Sequence, residues 1–144
     1  MAVDISTIRT DVWDTLYTYM KTTNPISTSN VYSALNSRLV DDVGYPFVVI
    51  NPPSVAIAKE TIGGSYLSCD VAMMIEIYHT SSASVKSLTD DVTNTLLEGR
   101  DTFAGNRLVS MEIDEGDYDF WDEGNSRVHK ITFNVSFRYS AGTP

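Results

Sequence analysis

Between Arg127 and Tyr139 the chain reads RVHKITFNVSFRY, an alternation that limits what the rest of it can fold into. Ile131, Phe133, Val135, Phe137 and Tyr139 take every second position, separated by Lys130, Thr132, Asn134, Ser136 and Arg138. Successive side chains of a strand point to opposite faces, so the segment predicts a strand with one buried and one polar face. A slip of one residue would turn Phe133, Phe137 and Tyr139 into solvent, which fixes the register.

Leu67 to His79 repeats the pattern. Val71, Met73, Ile75 and Ile77 form one face; Ala72, Met74, Glu76 and Tyr78 form the other. That second face is more apolar than solvent exposure explains, which points to cover by a helix or another chain. Tyr45 to Ile50 is a short β-branched and aromatic strand ended by Asn51-Pro52-Pro53. Ser54 to Ser65 has no clear period and reads as a long connection, with weak strand character around Val55 to Ala58. Arg107 to Gly116 supplies a further strand, with Leu108, Ser110, Glu112 and Asp114 opposite Val109, Met111, Ile113 and Glu115. Asp117 to Ser126 reads as a polar, aromatic connection turning at Gly124-Asn125.

Three segments carry helical spacing. In the first, capped by Asp4 or Ser6 and running to about Lys21, Ile5, Ile8, Val12, Leu16 and Tyr19 make a stripe that Trp13 and Met20 widen and into which Arg9 falls. Val31, Leu35 and Leu39 suggest a short helix over Val31 to Val40. Thr80-Ser81-Ser82 can cap a helix from Ala83 to Leu97, with Val85, Leu88, Val92 and Leu96 inward and Glu98-Gly99 at its end. The order predicts an α+β fold: an antiparallel sheet of about four strands, with an N-terminal helix and a second helix packed on one face. The length, 144 residues, fits a single domain spanning 1–144.

Nineteen acidic residues against ten basic give a formal charge of −9, and no Lys/Arg cluster is present to neutralise phosphates. Sequence-specific nucleic-acid binding and an anionic membrane partner are thereby disfavoured. A lone Cys69 excludes an internal disulfide and reads as a small buried hydrophobe. The first residues lack the basic and apolar regions of a signal peptide, and the apolar runs are too short to span a bilayer, so folding in a cytoplasm is expected.

Chemistry-bearing patterns are sparse. The run Asp114 to Glu123 could offer carboxylates to a hard cation, but counting from Asp117, Trp121 and Asp122 stand where a calcium loop needs Asp or Asn and Gly. His79 and His129 are far apart in sequence, and neither has a recognisable acidic orienter. No nucleophile elbow or phosphate loop occurs, and no catalytic residue, cofactor or metal is expected. Tyr118, Phe120 and Trp121, set in a hairpin connection, instead suggest a contact surface.

Taken together, YPFVVINPP after an N-terminal amphipathic helix, then DVAMMIEIYHTSSASVKSLTDDVTNTLLEG, then the closing HKITFNVSFRY, resemble the tail-terminator or tail-completion proteins of long-tailed bacteriophages and related head–tail joining proteins. The resemblance covers Ile5 to Tyr139 and rests on element order, length and texture. It implies a virion protein of the neck or tail, assembled in the host cytoplasm. Such a protein forms a hexameric ring on the tail tube, meets the head connector or stopper proteins, and passes DNA through its lumen. A stopper or adaptor role, or a ferredoxin-like ligand-binding module, are the alternatives. Ring contacts of this kind need two different complementary surfaces per subunit. The candidates are Arg9 with Trp13, the outer-face pair Met74 and Tyr78, the aromatic group Tyr118, Phe120 and Trp121, and the basic pair Lys130 and Arg138 on the polar face of the last strand.

Overall fold

The computed structural model describes residues 5–23, 31–33, 46–60, 66–114, 116–123 and 126–142. Among the described residues, three helices, α1 (Ile5–Thr23), α2 (Ser82–Glu98) and α3 (Arg100–Gly105), accompany seven strands. The strands are β1 (Val31–Ser33), β2 (Phe47–Ile50), β3 (Ser54–Glu60), β4 (Tyr66–His79), β5 (Leu108–Ile113), β6 (Asp117–Glu123) and β7 (Ser126–Gly142). This is the expected α+β architecture, with more strands than the pattern suggested.

The strand count conceals a simpler plan. The two alternating segments, β4 and β7, pair antiparallel from Tyr66–Gly142 to His79–His129 and form the centre. On the far side of β4, β2 and β3 lie end to end as one interrupted track; on the far side of β7, β5 and β6 do the same. The four segments expected as strands thus lie in four adjacent tracks, both outer ones broken, but the sheet is wider and has more strands than expected. β1 adds a short parallel edge beside β2.

Each break has a local cause. Ile50 pairs with Ile75 and Ser54 with Ala72, so Asn51-Pro52-Pro53 stand opposite only Met73 and Met74. The prolines have no N–H for the ladder, and Asn51 compensates by donating its backbone N–H and its side-chain amide to the Met74 carbonyl, both at 3.0 Å. In the other track Ser110 and Met111 stand opposite Phe137 alone, with Ser110 at φ 56. The track breaks again between the Ile113–Val135 and Asp117–Thr132 pairs, with Gly116 at φ 78. A Cβ at Gly116 would lie 2.6 Å from the Thr132 carbonyl oxygen, so only glycine fits there.

Several expectations are corrected. Val31 to Ser33 is a strand, because its neighbour β2 and the α1 residues above it, Tyr17 and Lys21, hold it extended; both side chains reach the Val31 carbonyl, at 3.4 and 3.2 Å. The rest of the expected helix, 34–40, lies outside the described residues. Ser54 to Glu60 is a full strand, since the exposed edge of β4 offers it a partner. Asp117 to Glu123 is likewise a strand along β7, with Asp117 and Asp119 alternating with Tyr118 and Phe120 before Trp121 and Asp122 reverse the order. The pairing of Glu123 with Ser126 leaves Gly124-Asn125 as the link, outside the described residues. In β5 the bulge resets the alternation, so Leu108 shares the core side with Met111 and Ile113, in place of Ser110 and Glu112.

The helices cover one face. Ile8, Val12, Leu16 and Met20 of α1 and Val85, Leu88, Val92 and Leu96 of α2 join the buried β4 and β7 faces in one cluster. Ile5's side chain and Asp4 lie outside what is described. Ser81 is the α2 N-cap, accepting from the Ser84 N–H at 3.3 Å. Gly99 ends the helix where Tyr19 presses in: a Cβ at Gly99 would meet the Tyr19 ring at 2.6 Å. That contact lets the Tyr19 hydroxyl donate to the Thr95 carbonyl at 3.0 Å and sets the ring edge-on to Phe103 of α3. Phe103 is fully buried and meets Phe137 edge-on, so α3 plugs the end of the core. Cys69 is buried, and burial, then the nearby Asp70 charge, pushes its thiol pKa up.

Candidate functional site

β6 and β7 run past the end of β4, where His79 meets His129, and continue as a two-stranded arm. The arm separates the three aromatics that sequence grouped together. Tyr118 and Phe120, paired with Ile131 and His129, point to the helix side; Trp121, paired with Val128, points to the outer face.

On the helix side Tyr118 and Phe120 are 45% and 51% exposed. The Tyr118 hydroxyl is hydrogen-bonded to His129 Nδ1, both rings lie beside the His129 imidazole, and Arg127 sits over the Phe120 ring at 5.1 Å while bound to Asp122 at 2.9 Å. His79 Nδ1 accepts from the Thr80 N–H at 2.8 Å. Burial, then the charge of His129, lowers the His79 pKa. Sequence distance hid this histidine pair. Matching the apolar faces of β4 and β7, which sets Ile77 against Ile131, would have forced His79 against His129.

On the outer face Trp121 meets Tyr78 edge-on at 6.1 Å, Tyr78 stacks on Phe47 at 4.5 Å, and Lys130 lies over the Tyr78 ring. Lys130 Nζ reaches Glu76 at 2.8 Å with both side chains largely buried. Burial alone would lower the Lys130 pKa; the Glu76 hydrogen bond and the Tyr78 and Glu76 charges carry it above its ordinary value. Burial is also the main reason the Tyr78 phenol is raised. Arg138 is bound to Asp70 at 2.9 Å, so both cations of this face are already engaged by β4 carboxylates. Met74 is exposed between them. Below it Ser54, Ala56, Ala72 and Ser136 floor a shallow concavity of about 620 Å³ walled by Asp70, Arg138 and Glu112.

On α1, Arg9 is exposed despite its angular position within the apolar stripe. Trp13 is half-buried, stacked on Tyr17 at 4.5 Å, with its indole N–H buried and unpartnered. The structure thus brings Tyr78, Trp121 and Lys130 together, and Tyr118 with Phe120, while Arg9 and Trp13 stay apart from both groups.

The acidic run does not converge on a point. Asp117 and Asp119 share the outer face with their partners Thr132 and Lys130, Asp122 faces the other way with Arg127, and Asp114 accepts from the Asn134 N–H and side chain at 2.9 and 3.2 Å. Among the described residues, no cluster of three or more His, Cys, Asp or Glu could hold a metal ion. No described helix is long and apolar enough to cross a membrane.

No protein-family model matches the sequence, and no curated protein matches it. Among solved structures, the fold is similar to a chain of the virion of a native gene transfer agent particle. The TM-score is 0.58 at 15% identity, over 85% of this chain and 91% of that one. The two chains share a fold: an α+β sheet with helices on one face.

Proposed function

We propose that this chain is a structural protein of a phage-type virion, and specifically its tail terminator. In this reading it forms a hexameric ring that caps the tail tube, joins it to the head connector or stopper, and lets DNA pass without sequence-specific binding. The observation that carries the reading is the fold likeness to a chain of a gene transfer agent virion, covering most of both chains. The element order seen in phage tail terminators supports the finer assignment. So does the presence of two unlike candidate surfaces, Arg9 with Trp13 on α1 and Met74, Tyr78 and Trp121 on the outer face, since a ring uses two unlike surfaces per subunit. A formal charge of −9 suits a wall that DNA slides past without adhering.

Native mass measurement with negative-stain imaging tests it. The expected result is a six-membered ring, alone or on the ends of purified tail tubes. A stable monomer or dimer that fails to cap tubes would overturn it. Rings that bind connector but never tube ends would assign the chain to the stopper or adaptor role instead.

A further inference from the structure

Among the described residues, the helices leave one strip of the sheet uncovered on their own side. α2 packs over β4 and β7, and beyond it the inward side of the β5/β6 track carries Met111, Ile113, Tyr118 and Phe120. Met111 and Ile113 are only partly buried, and with exposed Leu97 of α2 they line a groove of about 400 Å³. Asp90 and Asp114 stand at its rim. Of the cations beside the strip, Arg127 at the arm end is tied to Asp122, and Arg100 at the other end donates to the Leu97 carbonyl at 3.1 Å with Asp101 beside it, which leaves the carboxylates in excess. An apolar strip with carboxylates beside it calls for an apolar stripe flanked by cations.

We propose that this strip docks an amphipathic helix with Lys or Arg beside its apolar stripe, contributed by a different protein. A second copy has no such helix to offer among its described residues, because the apolar stripes of α1 and α2 are already buried in its own core. An added strand is disfavoured as well, because the bulges at Ser110 and Gly116 break the ladder of the β5/β6 edge. A helix needs no ladder, since its backbone groups are satisfied internally. Met111 stands opposite Phe137 and Phe120 opposite His129, so the strip runs for about eight residues, or about 27 Å. A helix of about 18 residues spans that length. The proposal goes beyond the ring reading and does not depend on it.

The probe is a fluorescent helical peptide of about 18 residues, with leucines in one stripe flanked by lysines, and a counterpart flanked by glutamates. Each is titrated against the full chain by anisotropy. The lysine peptide is expected to bind at least about tenfold tighter than the glutamate peptide, with an affinity that falls as salt rises. Leu97→Ser and Phe120→Ser should each weaken it by about tenfold, while Met74→Ser, on the outer face, should not; circular dichroism checks that all three fold. Equal binding of both peptides, or a loss with Met74→Ser matching that of the strip variants, would overturn the proposal. So would self-association that Leu97→Ser abolishes, which would give the strip to a second copy. The ring reading is decided separately, by the mass of the unaltered chain.

Discussion

His79 and His129 are direct cross-strand partners at the end of β4, and each has its Nδ1 engaged, by the Thr80 N–H and the Tyr118 hydroxyl respectively. Because burial, then His129, holds the His79 pKa below its ordinary 6.5, the folded chain takes up this proton less readily than the unfolded chain. The associated stability is complete above the unfolded value and is lost as pH falls through that value toward the folded one. Thermal midpoints measured from pH 7.5 downward should therefore drop below about pH 6.5. His79→Gln should flatten that part of the curve; an unchanged slope would count against the pair.

Gly99 and Tyr19 form a second coupled pair. Gly99→Ala should cost about 1–3 kcal/mol, because the Tyr19 ring is held by its hydroxyl on Thr95 and by Phe103. In a Tyr19→Ala background the same change should cost less, a non-additivity that urea denaturation resolves.

Two glycines give opposite outcomes. Gly116→Ala combines a positive φ with a carbonyl oxygen at 2.6 Å and should destabilise by about 1–3 kcal/mol. Gly105→Ala meets nothing within 4 Å in a helix and should stabilise by up to about 1 kcal/mol. Chemical denaturation of both variants checks the sign.

Ion pairs in the sheet should differ in worth. Removing Asp122 from its exposed pair with Arg127 should leave the denaturation midpoint almost unchanged. Glu76→Ala should cost more, roughly 2–3 kcal/mol, because it strands the mostly buried Lys130 and removes a 3.3 Å partner of Asn51. Denaturation midpoints of the two variants should fall in that order.

Elements that bury a complete face were legible in the sequence. β4, β7, α1 and α2 each repeat an apolar residue at a fixed period, and their buried residues match that period: Val71, Met73, Ile75 and Ile77, for example, all face inward. The outer tracks were harder because their register changes midway. Asn51-Pro52-Pro53 hid the continuation into β3, and the extra residues at Ser110 and Gly116 shifted the alternation of β5 and β6. α3 is a single plug around Phe103, too short to show a period. The candidate surface was half legible. Tyr118, Phe120 and Trp121 were marked as contact residues, but only pairing against β7 shows that Trp121 faces away from the other two.

The central pairing also sets the order in which the chain can fold. β4 gains its inner neighbour only from β7, whose residues lie 50 positions later at His79–His129 and 76 later at Tyr66–Gly142. During synthesis the apolar face of β4 must wait for the whole α2–α3–β5–β6 segment to emerge, and then for β7. Loops of that length close slowly. Meanwhile β4 has an open edge and an unfinished core, so the sheet order itself makes the partly synthesised chain more prone to aggregate than the finished one.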